Sequence, residues 1–344
     1  MSTILSIEEF FELQKDIPVV DVRSPKEYTE GHIPGSINIP LFDNEERAIV
    51  GTLYKQTGRN AAILSGLDIV GAKLKNLAET ALKIAPNKRL IIHCWRGGMR
   101  SSSMAWLFET CGISCYVLEG GYKTYRRYIH VYFAKPFNLI ILGGMTGSGK
   151  SAMLAELSKL SFQVLKLEEL AHHKGSAFGR LGEAEQNTNE QFENDLFTSL
   201  ISLDISKNIF VEDESRNIGR NIIPLPFFQT MSISPLLVAE MSKELRILRL
   251  VNDYGGFDIT YLKDSLLKIS KRLGGLNTQT AISALDEGKP EIAASISLLY
   301  YDKTYNYGLT NKRNKLKYFL KLDSIDEVIN TRVLLDLLKD KELL

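Results

Sequence analysis

The feature that most constrains the fold is the run GMTGSGKS, from Gly144 to Ser151. It matches the pattern G-x-x-x-x-G-K-S and follows an apolar, strand-like run, Phe137–Leu142. In that context, backbone N–H groups of a glycine-rich turn hold a di- or triphosphate, while the lysine reaches the terminal phosphates. The pattern therefore predicts an α/β domain with a phosphate-binding loop, whose binding residues are Gly144, Gly147, Gly149, Lys150 and Ser151.

Three acidic residues follow a second apolar run, Asn208–Val211, in the same half of the chain. They are Glu212, Asp213 and Glu214. A phosphate-loop fold places an acidic partner of Mg²⁺ at such a strand end, and the loop serine supplies a second oxygen. We predict Ser151 and Asp213 as the Mg²⁺ ligands. The alternative is a solvated cluster of charges at the end of a strand.

A second candidate site lies upstream, where the strand-like run Lys88–His93 leads directly into Cys94 in the sequence HCWRGGMRS. A loop between a strand and a helix can turn its backbone N–H groups toward one centre and form an anion cradle. A cysteine there is stabilised as the thiolate and becomes a nucleophile. We expect this loop to be exposed, with Cys94 as the catalytic residue and a cradle formed by Arg96, Gly97, Gly98 and Arg100.

The length of 344 residues predicts two domains, because a single core stops growing at about 250–300 residues. Short strands alternate with helices in both halves, which favours parallel sheets covered by helices. We predict a first domain over residues 1–121, a linking helix over 122–135 and a second domain over 136–344. The stretch from about 225 to 315 is predicted to be mostly helical.

Composition narrows the class of protein further. The chain is 44% hydrophobic with a formal net charge of +1, which excludes a mostly disordered chain and predicts no polyanionic partner by itself. No apolar run approaches the ~18–20 residues of a membrane span, and the N-terminus lacks the pattern of a secretory signal. Three cysteines are too few for a disulfide framework. We therefore expect a cytoplasmic protein without a membrane partner.

Two other stretches combine cations with polar or aromatic residues. The loop HHKGSAFG offers His172, His173 and Lys174 for contact with RNA or phosphate, and an ordinary surface loop is the alternative. No cysteine or carboxylate stands at zinc-ligand spacing, which argues against zinc. The segment 122–135 interleaves tyrosines with Arg126 and Arg127, which would suit RNA. The tyrosine spacing is also helical and equally describes a packed helix.

The first half of the chain resembles the rhodanese fold. The resemblance is carried by DVRS from Asp21, GHIPGSIN from Gly31, Cys94 and LEGGY from Leu118. It implies a cysteine that carries sulfur or selenium as a persulfide or perselenide. The spacing from His93 to Arg100 also fits the H-C-x5-R pattern of cysteine phosphatases, some of which share this fold. The phosphatase and sulfurtransferase interpretations therefore stay open.

A rhodanese-like domain followed by a phosphate-loop domain is similar to the bacterial tRNA 2-selenouridine synthase family. The insertion GTLYKQTG from Gly51, the HHKGSAFG loop and the run VEDESRNIG from Val211 extend the resemblance over nearly the whole chain. It implies an α/β fold class, with an N-terminal rhodanese-like parallel-sheet domain and a C-terminal P-loop NTPase-like α/β domain with a helical region.

The resemblance also implies a two-step exchange at the wobble uridine of tRNAs for Lys, Glu and Gln. The 2-thiouridine sulfur is first alkylated from geranyl diphosphate, and selenium from selenophosphate then replaces the S-geranyl group. No tightly bound cofactor is implied beyond Mg²⁺, and an enzyme that supplies selenophosphate is an expected partner. From their chemistry, we assign Cys94 to the selenium step and the phosphate loop to the prenyl diphosphate, and we expect Arg100 to clamp the phosphoryl group of selenophosphate.

The sequence does not locate a pocket for the prenyl chain. The helical stretch after Pro224, with Phe227 and Phe228, is the region we favour. Two other functional classes remain as alternatives. One is a cysteine phosphatase or sulfurtransferase fused to an ATP-dependent kinase-like domain. The other is a non-catalytic regulator that binds tRNA or nucleotide, although a pure binding module needs no nucleophile at Cys94.

Overall fold

The computed structural model describes residues 2–85, 87–311 and 316–344. The chain divides into two compact units, residues 1–132 and residues 133–344. Each unit is a parallel sheet flanked by helices. Across the described ranges, no helix combines the length and the apolar character that crossing a membrane requires.

The described residues of the first unit, 2–85 and 87–132, form five strands and seven helices. The strands are β1 (Thr3–Leu5), β2 (Val19–Asp21), β3 (Ile37–Asn38), β4 (Arg89–His93) and β5 (Ser114–Leu118). The helices are α1 (Ile7–Leu13), α2 (Pro25–Glu30), α3 (Asn44–Gln56), α4 (Arg59–Gly71), α5 (Leu74–Ile84), α6 (Met99–Thr110) and α7 (Gly121–Tyr132). All neighbouring strands run parallel, in the order β1-β5-β4-β2-β3. The cysteine loop joins β4 to α6 beside the centre of this sheet.

Local signals in the sequence determine where the helices of the first unit begin. Ser6 and Glu9 form a complete capping box at α1, and Ser24 and Glu27 form a second one at α2. In each box the serine side chain accepts a backbone N–H, and the glutamate carboxylate accepts the N–H of the serine. Pro25 occupies the first turn of α2, where its fixed φ suits a helix and no N–H is needed.

The segment predicted as a linking helix, 122–135, forms α7 and packs within the first unit. Tyr122 and Tyr125 are buried, and the ring of Phe11 in α1 lies 4.9 Å from that of Tyr128. Burial of these rings anchors the helix to the sheet, and the chain divides only after Tyr132. Tyr122 and Tyr125 are therefore not available for stacking on RNA bases, and the packed-helix alternative describes this segment.

The second unit has a five-stranded parallel sheet and a two-stranded antiparallel pair. Its strands are β6 (Leu139–Gly144), β7 (Gln163–Leu165), β8 (Ile209–Glu212), β9 (Asn217–Ile218), β10 (Asn221–Ile222), β11 (Leu236–Met241) and β12 (Lys317–Leu322). The helices are α8 (Lys150–Lys159), α9 (Leu167–Leu170), α10 (Asn189–Ile201), α11 (Leu225–Ile233), α12 (Lys243–Tyr254), α13 (Ile259–Leu273), α14 (Gly275–Asp286), α15 (Pro290–Asn311) and α16 (Glu327–Asp340). The parallel sheet has the order β12-β11-β6-β8-β7, and β9 pairs with β10.

The stretch predicted to be mostly helical, 225–315, is mostly helical over its described part, residues 225–311, but the prediction did not include β11. Residues 312–315 lie outside the described residues. Strand β11 lies between β6 and β12, and every residue except Glu240 is buried. A short apolar run carries no periodicity that distinguishes a buried strand from a buried helix. The following helices α12 to α15 are helical as predicted, and α13, α14 and α15 contribute to a separate apolar cluster that includes Leu262, Leu266 and Leu285.

Candidate active sites in the two units

Two glycine-rich turns pack against each other and shape the cysteine loop. The backbone N–H of Tyr122 donates to the carbonyl of Cys94 at 2.8 Å, and that of Lys123 donates to Trp95 at 3.0 Å. Gly97 and Gly121 both have left-handed φ values, +63° and +59°. A Cβ atom on Gly121 would lie 2.2 Å from the Cys94 carbonyl oxygen, so only glycine fits there. The LEGG turn thus closes the loop that the sequence predicts.

Cys94 lies at the base of this loop and is only 3% exposed, whereas Trp95 and the backbone at Gly98 are exposed. Its Sγ atom is 3.4 Å from Ser101 Oγ. Burial alone would raise the pKa of the Cys94 thiol, but hydrogen bonds from Ser101 and the Arg96 backbone N–H outweigh it. The charge of Arg100 acts in the same direction, so the pKa lies below the usual cysteine value. The loop is exposed as expected, but its sulfur is not.

Arg100, the predicted phosphoryl clamp, is bound to a carboxylate in this structure. Its Nη1 and Nη2 atoms donate to the two oxygens of Glu27, at 2.6 and 3.3 Å. Arg47 of α3 approaches the same carboxylate at 3.6 Å. Burial raises the pKa of Glu27, but the hydrogen bond and charge of Arg100 outweigh this and lower the pKa. Glu27 therefore holds Arg100 at the first turn of α6, a contact that spacing alone did not indicate.

A buried ion pair supports the strand ends beneath the loop. Arg23 Nη2 lies 2.6 Å from Asp21 Oδ2, and both side chains are almost fully buried. The Arg23 guanidinium also stacks 3.9 Å from the ring centre of Tyr122. His93 is fully buried with Nε2 3.8 Å from Asp21, and burial lowers the pKa of its imidazole. These residues connect the DVRS run to the LEGGY turn, which explains why both belong to one structural signature.

The phosphate loop leaves β6 at Gly144 and enters α8 at Lys150. Gly147 and Gly149 have left-handed φ values of +81° and +82°. They are also crowded by α12, because a Cβ on Gly147 would lie 3.0 Å from the Arg246 carbonyl. Lys150 Nζ donates to the Gly144 carbonyl at 2.9 Å, across the loop. With a phosphate bound in the loop, the same side chain would reach the phosphate instead. The predicted phosphate-binding residues are therefore together in one loop.

The acidic partner of Ser151 is not the predicted one. Ser151 Oγ donates to Glu168 Oε2 at 3.0 Å, and the Glu168 backbone N–H donates to Glu212 Oε2 at 2.9 Å. Asp213 instead lies close to Gly143, where an added Cβ would come within 3.0 Å of its Oδ2 atom. Glu168 was missed because it belongs to α9, after a different strand. Its position after β7, a neighbour of β8, is the signal that could have indicated it.

Burial raises the pKa of two acidic residues near the phosphate loop, Glu212 and Glu214. Burial and the nearby Glu168 charge raise the pKa of Glu212 to about 8. The pKa of Glu214 is also raised, by burial and by the same neighbour. A bound cation would favour the ionised forms of these carboxyls. Among the described residues, no three His, Cys, Asp or Glu side chains are arranged as a metal site. Mg²⁺ commonly takes only one or two protein ligands beside phosphate and water, a role that Ser151 and Glu168 fit.

The HHKGSAFG loop folds against the acidic cluster. A Cβ on Gly175, which has φ +64°, would lie 2.7 Å from Glu214 Oε2. His173 is buried, His172 Nδ1 lies 3.0 Å from the Glu185 carbonyl, and Lys174 is exposed and pairs with Glu183 at 3.1 Å. Of the predicted RNA or phosphate contacts here, Lys174 is the exposed one.

Arg126 and Arg127 belong to α7 of the first unit. Arg127 is exposed, and Arg126 Nη2 lies 3.2 Å from His130 Nε2. On the same helix, Tyr122, Tyr125 and Tyr132 are buried and Tyr128 is half-buried. Contact of Arg126 and Arg127 with RNA stays a prediction.

Comparisons with known proteins match both units. Residues 6–128 match the profile of the rhodanese-like domain, and residues 137–257 match that of the tRNA 2-selenouridine synthase AAA domain. A protein named tRNA 2-selenouridine synthase from Shewanella woodyi is 37% identical over 338 residues, covering 87% of this chain and 90% of that protein. Its counterpart from Shewanella sediminis is 36% identical, covering 87% and 89%. The chain belongs to the tRNA 2-selenouridine synthase family.

Membership in the tRNA 2-selenouridine synthase family confirms both the resemblance and the fold class inferred from the motifs. Among solved structures, a rhodanese-related protein from Thermoplasma volcanium is 19% identical with a TM-score of 0.24, covering 37% of this chain and 92% of that one. The cysteine loop lies within the region matched by the rhodanese-like profile, and the phosphate loop lies within the region matched by the AAA profile.

Proposed function

We propose that this protein converts the wobble 2-thiouridine of tRNA to 2-selenouridine through an S-geranyl-2-thiouridine intermediate, with geranyl diphosphate and selenophosphate as substrates. The observation that supports the proposal is that one chain of this family holds both Cys94, whose thiol pKa is lowered by its neighbours, and a complete phosphate loop. The proposal includes tRNAs for Lys, Glu and Gln, an enzyme that supplies selenophosphate, and a cytoplasmic location.

The phosphate loop is assigned to the geranylation step. The sulfur of 2-thiouridine forms a bond to C1 of the geranyl group, the C1–O bond breaks, and the N3 proton of the base is released. Diphosphate leaves with the electron pair of the broken bond. Backbone N–H groups of the loop and Lys150 stabilise the charge that develops on this leaving group. Mg²⁺ would neutralise further charge on the diphosphate, with Ser151 and Glu168 as its protein ligands.

Cys94 is assigned to the selenium step. S-alkylation makes the exchange favourable, because geranylthiol leaves the pyrimidine as a neutral molecule, whereas an unmodified sulfur would leave as an anion. Selenium has the same formal oxidation state in selenophosphate and in selenouridine. Its transfer therefore needs no oxidant or reductant when the phosphorus product is phosphate, whose additional oxygen comes from water. A perselenide formed directly on Cys94 would instead release phosphite. Phosphorus NMR of the products therefore distinguishes selenium carried on Cys94 from another nucleophilic role.

The test assays both half-reactions separately on full-length variants. Wild-type protein, Cys94→Ser and Lys150→Ala are each given 2-thiouridine tRNA with geranyl diphosphate, or S-geranyl tRNA with selenophosphate, and nucleosides are identified by mass spectrometry. We expect Lys150→Ala to lose geranylation by about 10²–10³-fold and Cys94→Ser to lose selenation. Normal selenation by Cys94→Ser, or normal geranylation by Lys150→Ala, would contradict the assigned roles.

The second candidate is a cysteine phosphatase or sulfurtransferase fused to a kinase-like domain. The five residues between Cys94 and Arg100 favour it, because this spacing suits a tetrahedral anion. Release of phosphate from small phosphoesters in the absence of tRNA would support this candidate. If such release depends on Cys94 and no selenouridine forms, the phosphatase assignment replaces the one proposed.

A further inference from the structure

A largely apolar pocket lies beside the phosphate loop in the second unit. Thr146 of the loop forms part of its wall, Ser176 and Phe178 of the HHKGSAFG loop form another part, and the rest comes from α12 to α15 and their adjoining residues. The apolar lining includes Leu250, Leu262, Leu266 and Leu285. Its cavity volume is about 80 Å³, so the pocket is narrow. The pocket thus joins a phosphate-binding loop to the helical apolar cluster.

Two of the hydroxyl groups that line the pocket are bonded to the protein itself. Ser297 Oγ donates to the Ala293 carbonyl at 2.8 Å, and the Tyr301 hydroxyl accepts the Ala177 backbone N–H at 3.1 Å. In the part of the chain that the structure describes, no charged or amide side chain lines the pocket. A nucleobase is normally recognised through such donors and acceptors, whereas a hydrocarbon needs none. The lining therefore favours an apolar ligand over a nucleotide base.

The helices that form the pocket also fix the phosphate loop. Arg246 of α12 donates to the Thr146 carbonyl at 3.2 Å, and its guanidinium is held by both oxygens of Asp302 in α15, at 2.7 and 2.8 Å. Arg246 is almost fully buried, and this pair joins the phosphate loop to α12 and α15 without lining the pocket. A ligand that fits both places has a diphosphate at one end and an apolar chain at the other.

We propose that this pocket binds the hydrocarbon chain of an allylic prenyl diphosphate whose diphosphate lies in the phosphate loop. The inference rests on the proposed function, which requires a prenyl donor but does not say where its chain binds. The proposed pocket differs from the region considered from the sequence. Phe227 is fully buried with its ring 5.4 Å from that of Phe137, and neither Phe227 nor Phe228 lines the pocket.

Small residues on α15 give the pocket its width. Ala293 and Ala294 line it where larger side chains would project into the space. Ala294 is half-buried, so a phenylalanine there would fill the pocket, whereas Leu299 on the same helix is 52% exposed and does not line it. Ala294→Phe and Leu299→Phe therefore form a matched pair of variants, one that blocks the pocket and one that does not.

The experiment measures binding of geranyl diphosphate and of inorganic diphosphate to the full chain by titration calorimetry without tRNA. We expect the wild-type protein to bind geranyl diphosphate at least about 10²-fold more tightly than diphosphate, because each buried methylene adds affinity. Ala294→Phe should lose most of that advantage and keep its affinity for diphosphate, and Leu299→Phe should match the wild-type protein. Wild-type affinity for geranyl diphosphate in Ala294→Phe would overturn the proposal.

Loss of diphosphate binding by Ala294→Phe would indicate that this variant does not fold. In that case a second variant tests the pocket. Leu285→Ala enlarges the pocket and should raise the use of farnesyl diphosphate relative to geranyl diphosphate by about tenfold. An unchanged ratio in a variant that still binds diphosphate would overturn the pocket assignment. If the wild-type protein geranylates tRNA and both variants behave like the wild-type protein, the prenyl chain does not bind in this pocket and the proposed function stands. If the wild-type protein uses no prenyl diphosphate, the proposed function itself fails.

Discussion

At the scale of single residues, burial acts on two ionisable groups with opposite outcomes. Cys94 is buried, yet its pKa is lowered, because hydrogen bonds and a nearby cation stabilise the thiolate more than burial disfavours it. Glu212 is buried without enough such partners, and its pKa is raised to about 8. The first group is suited to attack as an anion, and the second is suited to exchange a proton when a cation binds.

Ser101→Ala should raise the pKa of the Cys94 thiol, because Ser101 provides the largest of the contacts that lower it. The thiolate absorbance in the ultraviolet, followed against pH, should show a midpoint at higher pH than in the wild-type protein. Cys115 does not interfere, since burial raises its pKa to about 12. A midpoint that does not move would show that Ser101 does not stabilise the thiolate.

Binding of Mg²⁺ with diphosphate near pH 7 should release a proton, because Glu212 is protonated below its pKa of about 8 and a cation favours its ionised form. Calorimetric titrations in two buffers of different ionisation enthalpy measure this release. Glu212→Gln should reduce it, and Glu214, whose pKa is also raised, accounts for the remainder. Without the metal, the raised pKa means that the folded state holds more protons than the unfolded state. The free energy of unfolding should therefore fall as pH rises from about 4.5 to about 8.

At the scale of elements, helix starts and glycine turns position both sites. The cysteine loop is held from three directions: by β4 before it, by α6 after it, and by the LEGG turn that follows β5. The α2 helix adds Glu27, which binds Arg100 at the first turn of α6. Changes in these turns and contacts should therefore act on the selenium step and leave the phosphate loop unchanged.

Gly121→Ala should destabilise the protein by about 3 kcal/mol or more, because its Cβ would meet backbone atoms of the cysteine loop at 2.2 and 2.6 Å. Gly112→Ala is the matched control. Its φ of +82° is also left-handed, but nothing lies within 4 Å of the added atom, so a cost of about 1 kcal/mol is expected. Urea denaturation compares the two variants, and equal losses would show that loop contact adds nothing.

Arg100→Lys should weaken the use of selenophosphate by about 1–3 kcal/mol, because lysine cannot reproduce two parallel hydrogen bonds to Glu27 or to a phosphoryl group. Inorganic phosphate or sulfate should compete with selenophosphate in the wild-type protein. Arg47→Lys is the control, since Arg47 makes only a longer contact with Glu27. Equal loss of geranylation and selenation in Arg100→Lys would assign Arg100 to tRNA binding or folding.

At the scale of the whole molecule, each unit has its own sheet, its own buried core and its own candidate site. The contacts described above for the cysteine loop all come from residues 1–132. The contacts described above for the phosphate loop all come from residues 133–344. The two half-reactions should therefore be separable by single substitutions in the full chain.

A mixture of the full-length Cys94→Ser and Lys150→Ala variants should restore conversion of 2-thiouridine to 2-selenouridine. The first variant retains geranylation and the second retains selenation, so S-geranyl tRNA released by one can be used by the other. Mass spectrometry of the nucleosides, with each variant alone as control, measures the recovery. A mixture that stays inactive while each half-reaction is intact would show that the intermediate passes between sites of the same chain.

The sequence by itself determined the features that depend on near neighbours along the chain. The capping boxes at Ser6 and Ser24 require only residues three apart, and the phosphate loop requires left-handed glycines followed by Lys150. Cys94 is identifiable because its glycines and cations stand within a few positions of it. Such patterns describe local backbone geometry, and local geometry is encoded in adjacent residues.

Only the tertiary structure decided which distant residues meet. Glu168 reaches Ser151 from a different strand, Glu27 binds Arg100 across 73 positions, and β11 becomes a central strand because β6 and β12 flank it. The pocket beside Thr146 is assembled from four helices and from a loop far from them in the sequence, which holds Ser176 and Phe178. Contacts of this kind depend on chain packing, in which many side chains satisfy one another at once, and no short pattern of residues records that arrangement.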